Sequence, residues 1–256
     1  MPLRKTEAIV LKSIKLGETS KILTLYTRSK GKLKVVAKGA RSTKSRFAGN
    51  LELANYISIV FYEKENRDLQ TLSQAEILTA FSKDSTNLER TTLMMAVCEF
   101  VDRLETGSTP SPLMFKLLLE SLKCMQSASD NPMNCLRAFQ VRVLDALGIR
   151  PKLNRCLQCG SPSRSEVVFD VVRGGFVCEN CRQPASQGMI LSLESMNALL
   201  SFQTKAMGQL NGLLPSTAPQ QQVDRLLAAY LQYHVDEFRE LNALKFYKKI
   251  VNRETS

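Results

Sequence analysis

The residues with the clearest capacity for chemistry are four cysteines arranged as two close pairs. Cys156 and Cys159 form the first Cys-x2-Cys pair, Cys178 and Cys181 form the second, and 18 residues separate the pairs. A two-residue spacing lets a tight turn aim both sulfurs at one ion, and two such turns supply the four thiolates of a tetrahedral zinc site. Because four protein ligands leave no open coordination position, the pattern predicts a structural zinc ribbon rather than a catalytic centre.

The stretch between the two cysteine pairs is suited to closing this loop. Val167–Val172 and Phe176–Val177 are strand-like and flank Arg173–Gly175, which predicts a β-hairpin. Two other uses of paired cysteines stay open at this point. A redox dithiol needs only one pair, commonly at the start of a helix, and iron–sulfur ligation generally uses other spacings. Zinc is therefore the favoured cofactor.

Positive charge is the second feature with a chemical consequence, because it is confined to one end of the chain. The protein carries 35 Lys and Arg against 24 Asp and Glu, a formal net charge of +11. Residues 1–50 hold 13 of the basic residues and only two acids, so the whole excess lies there. Such a surface attracts phosphates. The candidate nucleic-acid contacts are Lys12, Lys15, Lys21, Lys32, Lys34, Lys38, Arg41, Lys44 and Arg46.

The arrangement of these cations favours nucleic acid as the ligand. Strand alternation places Lys32, Lys34 and Lys38 on one face and apolar residues on the other. A basic loop rich in Gly and Ser follows, and it can wrap a polyanion. Single-strand binders combine such cations with stacking aromatics. The aromatic candidates are Tyr26, Phe47, Tyr56 and Tyr62. A membrane surface or an acidic protein is the alternative recipient of the charge, and nothing in the pattern predicts base-specific readout.

The elements that position these cations are predicted to be strands. Hydrophobicity of period two runs from Thr6 to Phe81, interrupted by turn residues. Because no helical crossover lies between the segments, they suit a small closed barrel of OB type better than a parallel sheet. The predicted strands are residues 6–15, 20–28, 31–38, 51–63 and 68–79.

The hydrophobic period changes to 3.6 from about residue 85, which predicts an α-helical region interrupted by the cysteine segment. The last helix is predicted from Val223 to Leu241, after a turn over Pro215–Gln222. The fold class is therefore α+β and multidomain. The expected domains are an OB-type barrel at 1–81, a first helical part at 82–149, a four-cysteine zinc ribbon at 150–187 and a second helical part at 188–256.

Several segments of the barrel region resemble the RecO family of bacterial DNA repair proteins. The matching segments are Glu7–Leu11, Gly17–Thr27, Gly31–Arg41, Ser45–Arg46 and Leu72–Ile77. The likeness is specific because glycines and basic residues agree in register, whereas an unrelated OB barrel would share only the alternation. It extends to the domain order, in which a barrel, helices, a cysteine ribbon and closing helices follow one another.

The resemblance implies a recombination mediator of the RecF repair pathway. Such proteins bind single- and double-stranded DNA, anneal complementary strands, and work with RecR and sometimes RecF. They help to load RecA onto strands coated by single-strand-binding protein, without nucleotide hydrolysis. The complete cysteine set groups this chain with the zinc-bearing members. The family docks the acidic C-terminal tail of single-strand-binding protein in its helical region, where Arg137, Phe139 and Arg142 are the nearest candidates.

Other classes of function fit the sequence less well. No clustered carboxylates, activated nucleophile or phosphate-cradling loop indicates an enzyme, and the single histidine, His234, lies on an apolar helical stripe typical of a packed residue. No apolar run reaches the ~20 residues that span a bilayer, and no export signal is visible, so we expect a cytoplasmic, nucleoid-associated protein. The alternative that remains is a zinc-ribbon adaptor of transcription or translation that binds RNA or protein.

Overall fold

In the computed structural model, the strand-forming alternation of the first 81 residues produces a closed five-stranded barrel. The strands are β1 (Leu3–Leu16), β2 (Ser20–Thr27), β3 (Gly31–Ala37), β4 (Tyr56–Tyr62) and β5 (Leu69–Thr79). Their order around the barrel is β1-β2-β3-β5-β4, and β4 pairs with β1 to close it. Of these five ladders, β3–β5 is parallel and the others are antiparallel. The OB-type barrel expected from the sequence is confirmed.

The interior of the barrel is filled by the apolar residues of each strand. Leu23 and Leu25 of β2 face Val35 and Leu33 of β3 in register, and the first three belong to the buried core. Phe47, from the loop after β3, is 2% exposed and joins the same core. Full burial of a large apolar side chain contributes roughly 1.5 to 3 kcal/mol, so this loop is held to the barrel by its own sequence.

Two strand boundaries differ from the sequence expectation. β1 begins at Leu3 instead of residue 6, and β4 begins at Tyr56 instead of residue 51. In the segment before β4, apolar and polar residues alternate as in a strand, and Leu51 is buried in the core. The backbone of this segment nevertheless forms turns. Ala54 has a φ of 65°, and the Asn55 side-chain amide donates to the carbonyl of Gly49 at 3.2 Å. The N–H of Ala54 donates to the carbonyl of Val10 at 2.8 Å, and the Asn55 carbonyl accepts from the N–H of Val10 at 3.1 Å, so β1 satisfies this turn's backbone outside the regular strand.

The structure describes residues 2–47, 49–65, 67–81, 87–105, 107, 109–183, 187–210, 212–214, 216–236 and 238–254. Contacts divide the chain into unit 1, Met1–Gln126 with Leu241–Ser256, and unit 2, Ser127–Glu240. Three of the sequence expectations fall outside the described residues. They are the start of the second domain at residue 82, part of the segment just before residue 187, and the first residue of the predicted turn, Pro215.

Three helices complete unit 1. They are α1 (Leu88–Leu104), α2 (Pro112–Ser127) and α6 (Asn242–Glu254). The Asn87 side chain caps α1 by accepting from the backbone N–H of Arg90, as expected for a residue that prefers this position. Phe115 of α2 stacks on Tyr26 of β2, with ring centroids 6.4 Å apart. The apolar patch around Tyr26 on the outside of the barrel is therefore covered by α2.

Unit 2 contains three helices and a small sheet. Its helices are α3 (Met133–Ala146), α4 (Leu193–Thr204) and α5 (Thr217–His234). Its strands are β6 (Val167–Asp170), β7 (Gly175–Cys178) and β8 (Met189–Leu191), in the order β7-β6-β8. The hairpin predicted between the cysteine pairs is therefore present as β6–β7. Among the described residues, no helix combines the length and the hydropathy needed to cross a bilayer.

The helix predicted from Val223 to Leu241 is wrong at both ends, because α5 covers part of the predicted turn and stops seven residues before Leu241. α5 begins earlier, at Thr217, and ends at His234, where Val235 takes an extended conformation and its N–H caps the carbonyl of Leu231. α6 then begins at Asn242 and belongs to unit 1. Its first amides are satisfied by the Glu99 carboxylate of α1, a partner that periodicity along the sequence cannot reveal.

Candidate nucleic-acid interface and metal centre

The four paired cysteines lie at one end of the β6–β7 hairpin and converge. Their Sγ atoms all lie within 4.8 Å of one another, and the Sγ atoms of Cys159 and Cys178 are 3.7 Å apart. Cys156 is buried, Cys159 is exposed, and the other two are half-buried. Four thiolates at this spacing can surround one tetrahedrally coordinated ion. The cluster could hold a metal ion, as the spacing of the pairs predicted.

The balance of burial and hydrogen bonding lowers the pKa of two of the four thiols, Cys156 and Cys159, and raises the pKa of the other two, Cys178 and Cys181. Burial raises the pKa of the Cys156 thiol, but the backbone N–H groups of Cys159, Cys178 and Gln158 outweigh it, so the pKa lies below its ordinary value. Bonds from Ser161 and from neighbouring thiols lower the pKa of Cys159 to about 6. Hydrogen bonds to Cys159 and Cys178 raise the pKa of Cys181 to about 12, and charge on those sulfurs adds to the effect. A bound cation would displace that proton, since only the thiolate is a ligand.

Two adjacent glycines allow close approaches to the hairpin, Gly175 by Leu157 of the first cysteine turn and Gly174 by the Tyr230 hydroxyl of α5. A Cβ at Gly175 would lie 2.7 Å from Leu157 Cδ2, and the N–H of Leu157 donates to the carbonyl of Phe176 at 2.8 Å. Gly174 has a φ of 67°, which glycine adopts without strain. Phe176 is fully buried beneath the hairpin. Packing of the hairpin against the first cysteine turn therefore helps to set the distance between the two cysteine pairs, in addition to the spacing of the cysteines themselves.

The predicted packed histidine makes a hydrogen bond to the turn of this hairpin. His234 Nε2 lies 2.7 Å from the carbonyl oxygen of Val171, and its ring lies 4.2 Å from the Tyr230 ring. The side chain is half-buried. His234 therefore connects α5 to the turn after β6, which is a packing role of the kind expected, although it lies at the edge of the core.

The predicted basic residues of the barrel divide into two groups by strand register. Lys12 of β1 pairs with Thr24, and Thr24 pairs with Lys34 of β3, so both lysines lie on the outer face. Lys15 pairs with Lys21, which pairs with the core residue Ala37, so these two lysines lie on the inward face at the end of the barrel. Directly paired residues share a face of the sheet. The nine predicted contacts therefore do not form one row.

Two of the predicted cations are neutralised within unit 1. Lys32 Nζ lies 2.6 Å from Asp102 Oδ1 of α1, and its side chain is only 17% exposed. Lys21 Nζ lies 3.2 Å from Glu52 Oε1. The expectation that Lys32, Lys34 and Lys38 form one open face is therefore only partly met, because Lys32 is covered. An acidic residue 70 positions away in the sequence, Asp102, accounts for the difference.

The loop after β3 presents the most open group of cations. Lys38, Arg41, Lys44 and Arg46 are exposed, and among the described residues no carboxylate pairs with them. The loop is nevertheless fixed. The Arg41 N–H donates to the carbonyl of Thr19 at 2.8 Å, its guanidinium donates to the carbonyl of Gly17 at 3.0 Å, and the buried Phe47 anchors the far end.

Most of the aromatic residues expected to stack on bases are occupied in packing. Tyr26 is fully buried and Phe47 nearly so. The Tyr56 hydroxyl donates to the Glu7 carboxylate at 2.6 Å, and burial with this bond raises the pKa of Tyr56 to about 12. Tyr62 remains 38% exposed. The barrel face therefore supplies cations but few free rings.

The three residues expected at a protein-docking pocket are held inside unit 2. Arg137 is 2% exposed and forms a bidentate pair with Asp224, at 2.8 Å for each bond. Phe139 is fully buried. The Arg142 guanidinium donates to the carbonyl of Phe202 at 2.9 Å. These side chains stabilise the helical packing, so docking of a protein tail at them stays a prediction that requires them to become accessible.

Comparison with protein families places both parts of this architecture. The family model described as "Recombination protein O N terminal" matches residues 1–81, and "Recombination protein O C terminal" matches residues 85–242. The chain belongs to the RecO family. Two relatives, each named "DNA repair protein RecO", support this. The protein from Nocardioides sp. is 34% identical over 91% of this chain and 95% of its own length. The protein from Bifidobacterium adolescentis is 31% identical over 92% and 96%.

RecO-family membership supports a role as a recombination mediator in DNA repair, as the resemblance implied.

The family models do not cover the last helix of the chain completely. The C-terminal match ends at residue 242, so most of α6 lies beyond it. α6 carries Lys245, Lys248 and Lys249 and belongs to the same unit as the barrel. Because residues 51–256 sum to no net charge, this cationic helix was missed; its local charge run was the signal available.

Proposed function

We propose that the protein binds single- and double-stranded DNA through the outer face of its barrel and anneals complementary strands. The observation that carries this proposal is the group of exposed cations on the outer face of β1 and β3 and in the loop after β3, which have no carboxylate partner among the described residues. They are Lys12 and Lys34 on the strands and Lys38, Arg41, Lys44 and Arg46 in the loop. Phosphate contacts of this kind dominate nucleic-acid affinity and carry no sequence information.

Lys15 and Lys21 are secondary contacts in this proposal, and Lys32 is a positioning residue. Lys15 and Lys21 lie on the inward side at the end of the barrel, and Lys21 shares its charge with Glu52. The Lys32–Asp102 pair ties β3 to α1. Lys32 therefore acts by holding the strand that carries Lys34, rather than by touching phosphate.

Annealing follows from this electrostatic surface without any catalytic group. Two complementary strands repel each other through their phosphates, and the barrier to pairing falls when cations screen that repulsion. The base edges must remain free, which a surface of lysines on strands and a turn-rich loop permits. The mechanism requires no nucleotide hydrolysis, and the protein acts in it as a binding surface, not as an enzyme.

Zinc is the proposed ligand of the cysteine cluster, held by Cys156, Cys159, Cys178 and Cys181. The set of four thiolates fits zinc, which accepts all-sulfur tetrahedral coordination, and it leaves no position for a reacting water. The ion would fix the hairpin β6–β7 to the cysteine turn before it. Its role is structural, so loss of the ion is expected to unfold the ribbon before it affects the barrel.

The partners that follow from this function are those of the RecF repair pathway. The protein would act with RecR, and in some settings RecF, on DNA covered by single-strand-binding protein, and so help RecA to load. Its ligand places it in the cytoplasm at the nucleoid. An annealing assay on strands coated with single-strand-binding protein, with and without RecR, tests these partners. If RecR had no effect on the annealing rate, RecR would not be a partner in this function.

The direct test of the DNA surface is charge reversal in the loop. The variant K38E/K44E/R46E is expected to lose detectable binding and annealing, because three phosphate contacts become three repulsions. Wild-type affinity for duplex DNA is expected to fall about a thousandfold between ~50 and ~200 mM salt if about six phosphates are neutralised. Fluorescence anisotropy with labelled oligonucleotides measures both effects.

A matched control keeps the change in net charge constant. K152E/R164E/K205E reverses three exposed cations of unit 2 and should bind DNA like the wild type. Flat salt dependence, or unchanged annealing by the loop variant, would contradict the proposal. If the control variant alone loses binding, the ribbon side makes the contact, and an adaptor function of the zinc ribbon becomes the better explanation.

A further inference from the structure

A groove beside β1 adjoins the proposed DNA surface and is lined by residues of the barrel, α1 and α6, all of unit 1. Its cavity volume is about 460 Å³. The barrel contributes Lys12 to its lining, α1 contributes Met95, and α6 contributes Phe246. A ring from the last helix of the chain therefore shares a groove with a barrel cation that the sequence assigned to DNA binding.

The ring that lines this groove is unusually open for a phenylalanine. Phe246 is 50% exposed and Met95 is 41% exposed, whereas the barrel aromatics Tyr26 and Phe47 are buried. Folding gains little from an apolar ring left half in water. Proteins that bind single strands combine accessible aromatic rings with cations. The rings stack on the bases, since every base has a π-face.

The two carboxylates of the groove are already engaged. Glu99 accepts from the backbone N–H groups of Asn242 at 3.0 Å and Ala243 at 2.9 Å, and it also pairs with Arg103. Asp102 pairs with Lys32 at 2.6 Å. The acidic charge is therefore matched inside the chain, and it does not cancel the remaining lysines around the groove.

Cations on α6 flank the exposed ring. Asn242, Lys245, Phe246 and Lys249 follow the i, i+3, i+4, i+7 spacing that places residues on one helix face, and all four are exposed. Among the described residues, no carboxylate pairs with Lys245, Lys249 or Lys12. Phe246 therefore lines the groove opposite the barrel cation Lys12, and Lys245 and Lys249 lie beside it on the same face of α6.

We infer that this groove holds a single-stranded segment of nucleic acid, with one base stacked on Phe246 and its phosphates beside Lys12, Lys245 and Lys249. The inference rests on the proposed function and extends it to a defined stacking residue. A single strand fits better than a duplex, because a paired base must first be unstacked at a cost of a few kcal/mol. The C-terminal family match ends at residue 242, so Phe246 lies beyond it.

The experiment separates stacking from charge by changing the ligand as well as the protein. Full-length protein is titrated with a thymidine oligonucleotide and with an abasic oligomer that has the same number of phosphates. F246A is expected to weaken binding of the thymidine oligonucleotide about tenfold, within the range of one base–aromatic stack, and to leave binding of the abasic oligomer unchanged.

Companion variants locate the effect. F246W, which keeps an aromatic face, should bind like the wild type, and F246L, which keeps only apolar bulk, should behave like F246A. Y233A removes a comparably exposed ring, 56% exposed, from α5 and should change neither affinity. K245E/K249E should weaken both oligomers and reduce the slope of log affinity against log salt by about 1.4, the value for two single-strand phosphates.

Several outcomes would overturn the inference. Equal affinities of F246A and wild type for the thymidine oligonucleotide would show that no base stacks there, while leaving the barrel surface standing. An equal loss on both oligomers, or wild-type behaviour of F246L, would show that the ring acts by packing. If wild-type protein bound neither oligomer, the proposed DNA-binding function would fail together with the groove.

Discussion

The cysteine ribbon of unit 2 and the basic loop of unit 1 both concentrate polar chemistry, but in opposite ways. In the ribbon, four sulfurs lie within 4.8 Å of one another, and backbone N–H groups and two glycines fix their positions. In the loop, Lys38, Lys44 and Arg46 are exposed and unmatched by acids among the described residues. A metal centre depends on geometry, whereas a phosphate surface depends on the number of free charges. A chelator should disable the first and salt the second.

Removal of the metal is expected to produce the largest effect. Structural zinc contributes roughly 10 to 16 kcal/mol of apparent binding free energy in small peptides, so zinc-free protein should lose the folded ribbon. Hydrogen exchange should then accelerate in β6 and β7, while the strands of the barrel keep their protection. Mass spectrometry after chelation measures both regions in one sample.

Cysteine variants provide the control for this prediction. C178S should lose stoichiometric zinc, whereas C98A, which removes a thiol buried in α1, should retain it. Less than half an equivalent of zinc in carefully purified wild-type protein would contradict the structural-zinc proposal. So would full protection of the hairpin in C178S.

Substitution of Gly175 tests the packing that supports the metal geometry. The added Cβ of G175A would meet Leu157 Cδ2 at 2.7 Å, and Leu157 lies in the turn between the ligands Cys156 and Cys159. Overpacking of this kind typically costs roughly 1 to 3 kcal/mol, so we expect about 2 kcal/mol of lost stability and weaker zinc retention. Thermal unfolding and a competing chelator measure these two quantities.

The control for G175A is a glycine with open space. Gly208 has no heavy atom within 4 Å of an added Cβ and no positive φ, so G208A should leave stability and zinc retention near the wild type. Comparable losses in both variants would show that the contact with Leu157 is not what positions the ribbon.

The smallest expected effect distinguishes two lysines on the same strand face. K32M breaks the pair with Asp102 and leaves a partly covered carboxylate, which should cost about 1 to 2 kcal/mol of stability with little change in DNA affinity. K34M removes an exposed charge, so stability should hold while the salt slope for single strands falls by about 0.7. Denaturant unfolding and salt titrations measure the two quantities. If K32M instead weakened DNA binding without loss of stability, Lys32 would be a DNA contact.

Much of the architecture follows from short-range pattern. Alternation within residues 6–81 specifies strands because a half-buried strand must place apolar residues on one side. The spacing of Cys156, Cys159, Cys178 and Cys181 specifies a cluster because two-residue turns aim paired sulfurs together. Patterns of this kind fail at Leu51, whose side chain is buried in the barrel core although its backbone lies in a turn. An apolar residue in the sequence indicates burial, but it does not show whether the backbone is a strand or a turn.

The remaining features depend on partners far away in the chain. Arg137 looks like a surface cation until Asp224, 87 residues away, is placed against it. The start of α6 is set by the Glu99 carboxylate of α1, which accepts from the amides of residues 242 and 243. Sequence periodicity contains no information about such contacts, because their energy arises only when separate elements meet.

The sequence by itself determined the OB-type barrel, the cluster of four cysteines and the sign of the barrel surface, since alternation, cysteine spacing and local charge are properties of neighbouring residues. Tertiary structure decided which charges are free. Asp102 covers Lys32, Glu52 reaches Lys21, and the basic loop keeps its cations exposed. Tertiary structure also placed Phe246 and Lys12 in the same groove of unit 1. The two residues are far apart in the sequence, and they meet because α6 packs on α1.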